Sequence, residues 1–192
     1  VSCSVGVIGN VIAGNDLTIQ TPTTVGGNLD VSGNFSLSNT CGVTGTVDVL
    51  GSFNIQGASA AGTFNGLVTA SGSVVNIAEG TNVFNGGFTH NTTAIGSSCT
   101  IGGTYTVGAS GTASTTLNAE TVTFTGVGPD FYTLVVSNVN GSFTSSVPVS
   151  VRNTVTLAKD MVMGSNRLTF AATAPMVSTL GAGEIVGSVR RT

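Results

Sequence analysis

The chain has 192 residues, of which 40% are hydrophobic, enough for one domain or one elongated array to form a core, and its formal net charge is only -3. Charged residues are 7% of the chain, against roughly 25% in ordinary soluble domains, and 28 residues are Gly. That balance argues against an ordinary cytosolic enzyme, and the many β-branched residues with little net charge argue against a disordered chain.

Taken in chain order, the sequence opens on VSCSVGVIGN, without an initiating Met or the basic-then-apolar pattern of a signal peptide, so a processed or excised chain is expected. Helix formers are scarce while Val, Thr, Ile and Gly dominate, which predicts an all-β fold. No run of about 18 apolar residues is present, so no helical membrane span is predicted.

From Gly9 three segments of 18 residues align without gaps: GNVIAGNDLTIQTPTTVG, GNLDVSGNFSLSNTCGVT from Gly27 and GTVDVLGSFNIQGASAAG from Gly45. Five apolar columns recur: Val11, Leu29, Val47; Ala13, Val31, Val49; Leu17, Phe35, Phe53; Ile19, Leu37, Ile55; and Val25, Val43, Ala61. Within a segment the apolar residues come two apart, the alternation of strands, and the pairs begin about six residues apart. Each segment reads as up to three short strands joined by Gly/Asn/Ser corners, where tolerance of positive φ favours Gly and Asn. If each segment is one coil, equivalent residues stack about 4.8 Å apart and the apolar columns become internal ladders. This predicts a parallel β-helix, a β-solenoid with coils of about 18 residues. An antiparallel sandwich also alternates strands and turns, but gives no reason for five columns to recur at one spacing.

The strict register slips past Gly62, where LVTASGSVVNIAEG, CTIGGTYTVGASG and LNAETVTFTG keep the same texture. The expected organisation is therefore one elongated solenoid, with regular coils over 9–62, irregular coils over 63–130 and a C-terminal repeat module over 131–192.

That last module reads FYTLVVSNVNGSFTSSVPVSVRNTVTLAKDMVMGSNRLTF and closes on GEIVGSVRRT. It resembles the repeat segments of very large secreted surface proteins of Bacteroidetes, over about a third of the chain. The resemblance implies β-helical segments exported across the outer membrane, in adhesin- or filament-like proteins, and carries no catalytic residue. The chain departs from the pattern at Ser188, where the closing phrase often has Pro, and at MVMG, where small or apolar residues usually precede the Gly.

Few residues are candidates for chemistry. Cys3, Cys41 and Cys99 form no CxxC pair and the chain has 1 His, so metal-ligand spacing is absent. In an extracellular setting these cysteines suit a disulfide, with the odd thiol left for burial or an intermolecular bond. Cys41 aligns with Thr23 and Ser59, which also fits a small corner residue. His90, in FTHNTTAIG, reads as an exposed loop residue with no carboxylate nearby in sequence. Asp30 and Asp48 share a column between inward neighbours, so they are expected to point outward one coil apart. Two carboxylates without further oxygen ligands make a poor calcium site, and solvation is the expected role.

The Gly-rich phrases GVGPD and GVIGN lack the Lys-Ser/Thr and the helix that a phosphate cradle needs. Arg190 and Arg191 are too few for nucleic acid. Sequons occur at Asn34, Asn91 and Asn140, and Asn34 also belongs to a polar column with Asp16 and Ser52. No cofactor is expected.

Three functional classes follow. A structural or adhesive extracellular rod, a filament subunit or adhesin stalk, fits a repeat without convergent ionisable groups. Its partners would be further copies end to end or neighbouring solenoid modules. An ice- or carbohydrate-binding β-helix is the alternative, kept open by LTIQTPTT and CTIGGTYTVG, although one outward column reads Thr18, Ser36, Asn54 rather than repeated Thr. A carbohydrate-active β-helix enzyme fits least, because the basic residues nearly all follow residue 150.

Overall fold

The computed structural model describes residues 4–102, 104–107, 114–126, 128–138, 140–171 and 183–192. The described residues contain strands and no helix, and every strand pairing is parallel. The chain winds as a β-solenoid of about 8 turns, and the parallel pairing excludes the sandwich.

Each regular coil contributes one strand to each of three faces, here called A, B and C. The first coil supplies Val5–Val7, Val11–Ala13 and Leu17–Ile19; the second supplies Thr23–Val25, Leu29–Val31 and Phe35–Leu37. Val11 pairs with Leu29 and Leu29 with Val47, so the step is 18 residues. Four of the five expected columns are in register. The fifth is corrected at its last member: Val43 pairs with Phe64, and Ala61 lies opposite Thr40. A turn containing Gly57, at φ 108°, sits before Ala61 and lengthens that corner.

The sequence repeats Gly-Asn because two corners are built as side-chain ladders. The Oδ1 of Asn10 accepts the Asn28 N–H (2.9 Å) and the Oδ1 of Asn28 accepts the Thr46 N–H (3.0 Å). At the next corner Asp16 accepts from the Asn34 N–H (2.7 Å) and Asn34 from the Ser52 N–H (2.8 Å). These bonds satisfy corner amides that the strand ladders do not reach. Glycine is required for space rather than for positive φ, contrary to the expectation from sequence. A Cβ on Gly27 would lie 2.2 Å from Asn10 Oδ1, and one on Gly45 would lie 2.1 Å from Asn28 Oδ1. No Gly between residues 9 and 56 has positive φ. The ladders run out at Thr46 and Ser52, in the last coil of the 18-residue register.

Beyond it the step grows to 20 residues between Val68 and Phe88 and 27 between Phe88 and Thr115. The surplus residues go into corners, such as 91–97 between Phe88–His90 and Ser98–Ile101, where Ile95 is 93% exposed. From Asp130 the strands lengthen, and Asp130–Val136, Val149–Leu157 and Met161–Phe170 each run from one face onto the next.

The core is a single column inside this winding. Phe35, Phe53, Phe64, Phe84, Tyr105, Phe131, Phe124 and Phe143 are all buried, and adjacent rings in that series lie 4.9–6.2 Å apart. Such contacts add roughly 0.5–1.5 kcal/mol each to the burial of apolar surface.

Candidate functional site

The acidic pair is placed as its column implies. Asp30 and Asp48 lie opposite each other in adjacent face-B strands and point outward, with exposed Ile12 on one side and Thr69 on the other. Neither neighbour carries a charge, so the column gathers no third carboxylate. Among the described residues no group of three or more His, Cys, Asp or Glu side chains is close enough to hold a metal ion.

His90 is not an exposed loop residue. It ends the strand Phe88–His90, pairs with Ala70 and Leu117, and is fully buried. Its Nε2–H donates to the Gly72 carbonyl at 2.8 Å, which leaves Nδ1 as the unprotonated nitrogen, buried and, among the described residues, without a hydrogen-bond partner. Burial holds its pKa below the ordinary imidazole value, and the bond to Gly72 opposes that shift.

Cys41 is likewise not a corner residue. It sits in Thr40–Val43 in phase with inward Val43, its partners are Thr23 and Gly62 rather than Ser59, and it is fully buried. Cys99 is on another face, between Val75 and Val122. Both are free thiols, and burial pushes Cys41 up to about 11 and Cys99 upward as well. Thiols so held are poor nucleophiles. Cys3 lies outside the described residues.

Other buried polar groups are engaged structurally. Tyr105 and Thr115 share a hydrogen bond of 2.9 Å inside the core, and burial raises the Tyr105 pKa. Asn82, also buried, accepts from the Gly62 N–H and donates to the Glu79 carbonyl. Lys159, 8% exposed, reaches across two coils to donate to the carbonyls of Glu120 (2.8 Å) and Asn140 (2.6 Å), with Ala119 at 3.5 Å. Desolvation lowers its pKa while the Glu120 charge raises it. Asp130 and Arg152 form an ion pair at 3.3 Å, and the guanidinium lies 5.9 Å from the Tyr132 ring.

The face-C outward column is apparent from the 18-residue repeat over only three coils. It continues as Thr18, Ser36, Asn54, Asn76, Thr100, Thr123 and Thr144, with no charged member. Over the first three coils this face is indented by a groove of about 410 Å³ lined by Thr18, Gln20, Ser36, Ser38, Asn54 and Gln56, with Leu37 at its floor. Of the sequons, Asn34 is the ladder residue described above, while Asn91 and Asn140 are exposed.

No family model, curated protein or solved structure matches the chain.

Proposed function

We propose that this chain is a stiff structural or adhesive rod that works outside the cell, as a filament subunit or an adhesin stalk. The observation that carries the reading is the unbroken internal spine of aromatic rings from Phe35 to Phe143, wrapped by parallel ladders on three faces. A column of close-packed rings resists bending because any curvature opens gaps on one side and crowds the other.

A further observation supports it. Two buried ionisable side chains serve the winding itself: His90 and Lys159 bond backbone carbonyls of other coils. A neighbouring solenoid module or another copy of the chain, continuing the winding end to end, is the proposed partner. The resemblance of residues 131–192 to secreted Bacteroidetes repeats favours the extracellular setting.

Negative-stain electron microscopy of the purified chain, alone and fused in tandem, tests this. Straight rods whose length grows in proportion to the number of modules are expected. Compact particles, or tandems that hinge freely between modules, would remove the basis for a stiff rod.

A further inference from the structure

We propose that the face-C groove over the first three coils binds a neutral, hydroxyl-rich glycan chain. The groove arises from a contrast in side-chain length between successive coils. The middle coil presents short Ser36 and Ser38, while the coils on either side present Gln20 and, two strands away, Asn54 and Gln56. Coil spacing sets the two glutamines about 10 Å apart, on either side of Ser38.

Gln20, Ser38 and Gln56 are exposed and Asn54 half-buried, and among the described residues none of the three amide side chains has a protein hydrogen-bond partner. Each amide offers two donors and an accepting oxygen, Ser36 offers a donor and acceptor, and Ser38, whose hydroxyl donates to the Ile19 carbonyl, offers an acceptor. This is the inventory that matches sugar hydroxyls, which donate and accept at the same atom. The lining also excludes other ligand classes. It holds no Lys or Arg, since every Lys and Arg of the chain follows residue 150, so anionic polymers gain nothing. Leu37, its apolar member, is buried, so a hydrophobic ligand finds little surface. The strands of its second and third coils, Phe35–Leu37 and Phe53–Ile55, are paired on both edges, so an added peptide strand has no place between them.

The test is affinity electrophoresis of the full chain in separate gels containing xyloglucan, glucomannan, mixed-linkage β-glucan, arabinoxylan or neutral dextran, with dextran sulfate as the anionic comparison. Retardation is expected in at least one neutral gel. The double variant Gln20→Ala/Gln56→Ala, both positions being exposed, should keep its far-UV circular dichroism and bind about tenfold more weakly. Asp48→Ala, on face B, should bind as the wild type does. Retardation in none of the neutral gels, in dextran sulfate alone, or equally for the wild type and the double variant would overturn the assignment.

Discussion

The rings of Phe35 and Phe53, one coil apart, stack with centroids 5.1 Å apart and planes inclined by 24°. Phe53 also meets Phe64 at 6.2 Å and Phe88 at 5.7 Å, so rings from all three faces converge on it. Truncating either to Ala leaves a cavity inside a ladder that hydrogen bonding holds at fixed spacing and that cannot collapse sideways. Phe35→Ala and Phe53→Ala should each cost about 3–5 kcal/mol, with Phe53 the larger because more rings lose a neighbour. Equilibrium urea unfolding checks this, and a cost below about 1 kcal/mol for Phe53→Ala would contradict a close-packed spine.

His90 makes stability depend on pH in a defined window. Its folded pKa is lowered, so between that value and the unfolded value of about 6.5 the unfolded chain binds more protons than the folded one. Stability from this residue is therefore full above pH 6.5 and lost as pH falls through it, because protonating Nδ1 would place a charge where no acceptor among the described residues faces it. Urea unfolding from pH 7.5 to 5 should show the decline, and His90→Gln should flatten it. An unchanged slope in that variant would assign the dependence to another group.

Much of this was legible in the amino-acid pattern, and the failures are instructive in the same terms. The 18-residue columns of residues 9–55 could be read because the Asn/Asp ladders hold two of the three corners of each coil to one length. The third corner carries no such ladder and lengthens around Gly57, which is why Ala61 was misplaced; past Thr46 and Ser52 the other corners lengthen as well and counting residues no longer gives the register. His90, Cys41 and Lys159 were misjudged or passed over by residue type. Alternation alone puts them inward: His90 is in phase with Phe88, Cys41 with Val43, and Lys159 with Val155, Leu157 and Met161. Their polar atoms are accommodated by partners distant in sequence, such as Gly72 for His90 and Asn140 for Lys159, and no local signal announces such partners. The face-C groove was invisible for a related reason, since it is a relation among three coils.

Lys159 should act as a staple between coils. Lys159→Met keeps the length of the side chain and removes the ammonium from the carbonyls of Glu120 and Asn140, leaving acceptors in a largely buried corner without a donor. A loss of about 1–3 kcal/mol is expected. Hydrogen exchange should localise the loosening to the coils around Ser142–Ser145 and Met161, rather than to the Asn10–Asn34 corners far along the axis.

Cys41 and Cys99 should resist modification in the folded chain. Both thiols are buried and have raised pKa values, so the reactive thiolate is scarce and enclosed. Site-resolved mass spectrometry after iodoacetamide treatment at pH 8 should find neither alkylated natively and both alkylated in urea. Rapid native labelling of Cys99 would contradict its place between Val75 and Val122.

The corner ladder supplies a prediction about a pair. Gly45→Ala puts a methyl group 2.1 Å from Asn28 Oδ1 and 2.8 Å from the Gly27 carbonyl carbon and oxygen, so something must shift, at a cost of about 1–3 kcal/mol. Asn28→Ala alone loses the acceptor for the Thr46 N–H, at about 1 kcal/mol, the corner being exposed enough for water to replace it in part. Combined, the two changes should cost less than their sum, because the methyl group then enters space the amide has vacated. The coupling should nevertheless be incomplete, since the Gly27 backbone still stands in the way. A double-mutant cycle by urea unfolding measures the difference. Strict additivity would mean that the Gly27 backbone, and not the asparagine side chain, is what demands glycine at the start of each coil.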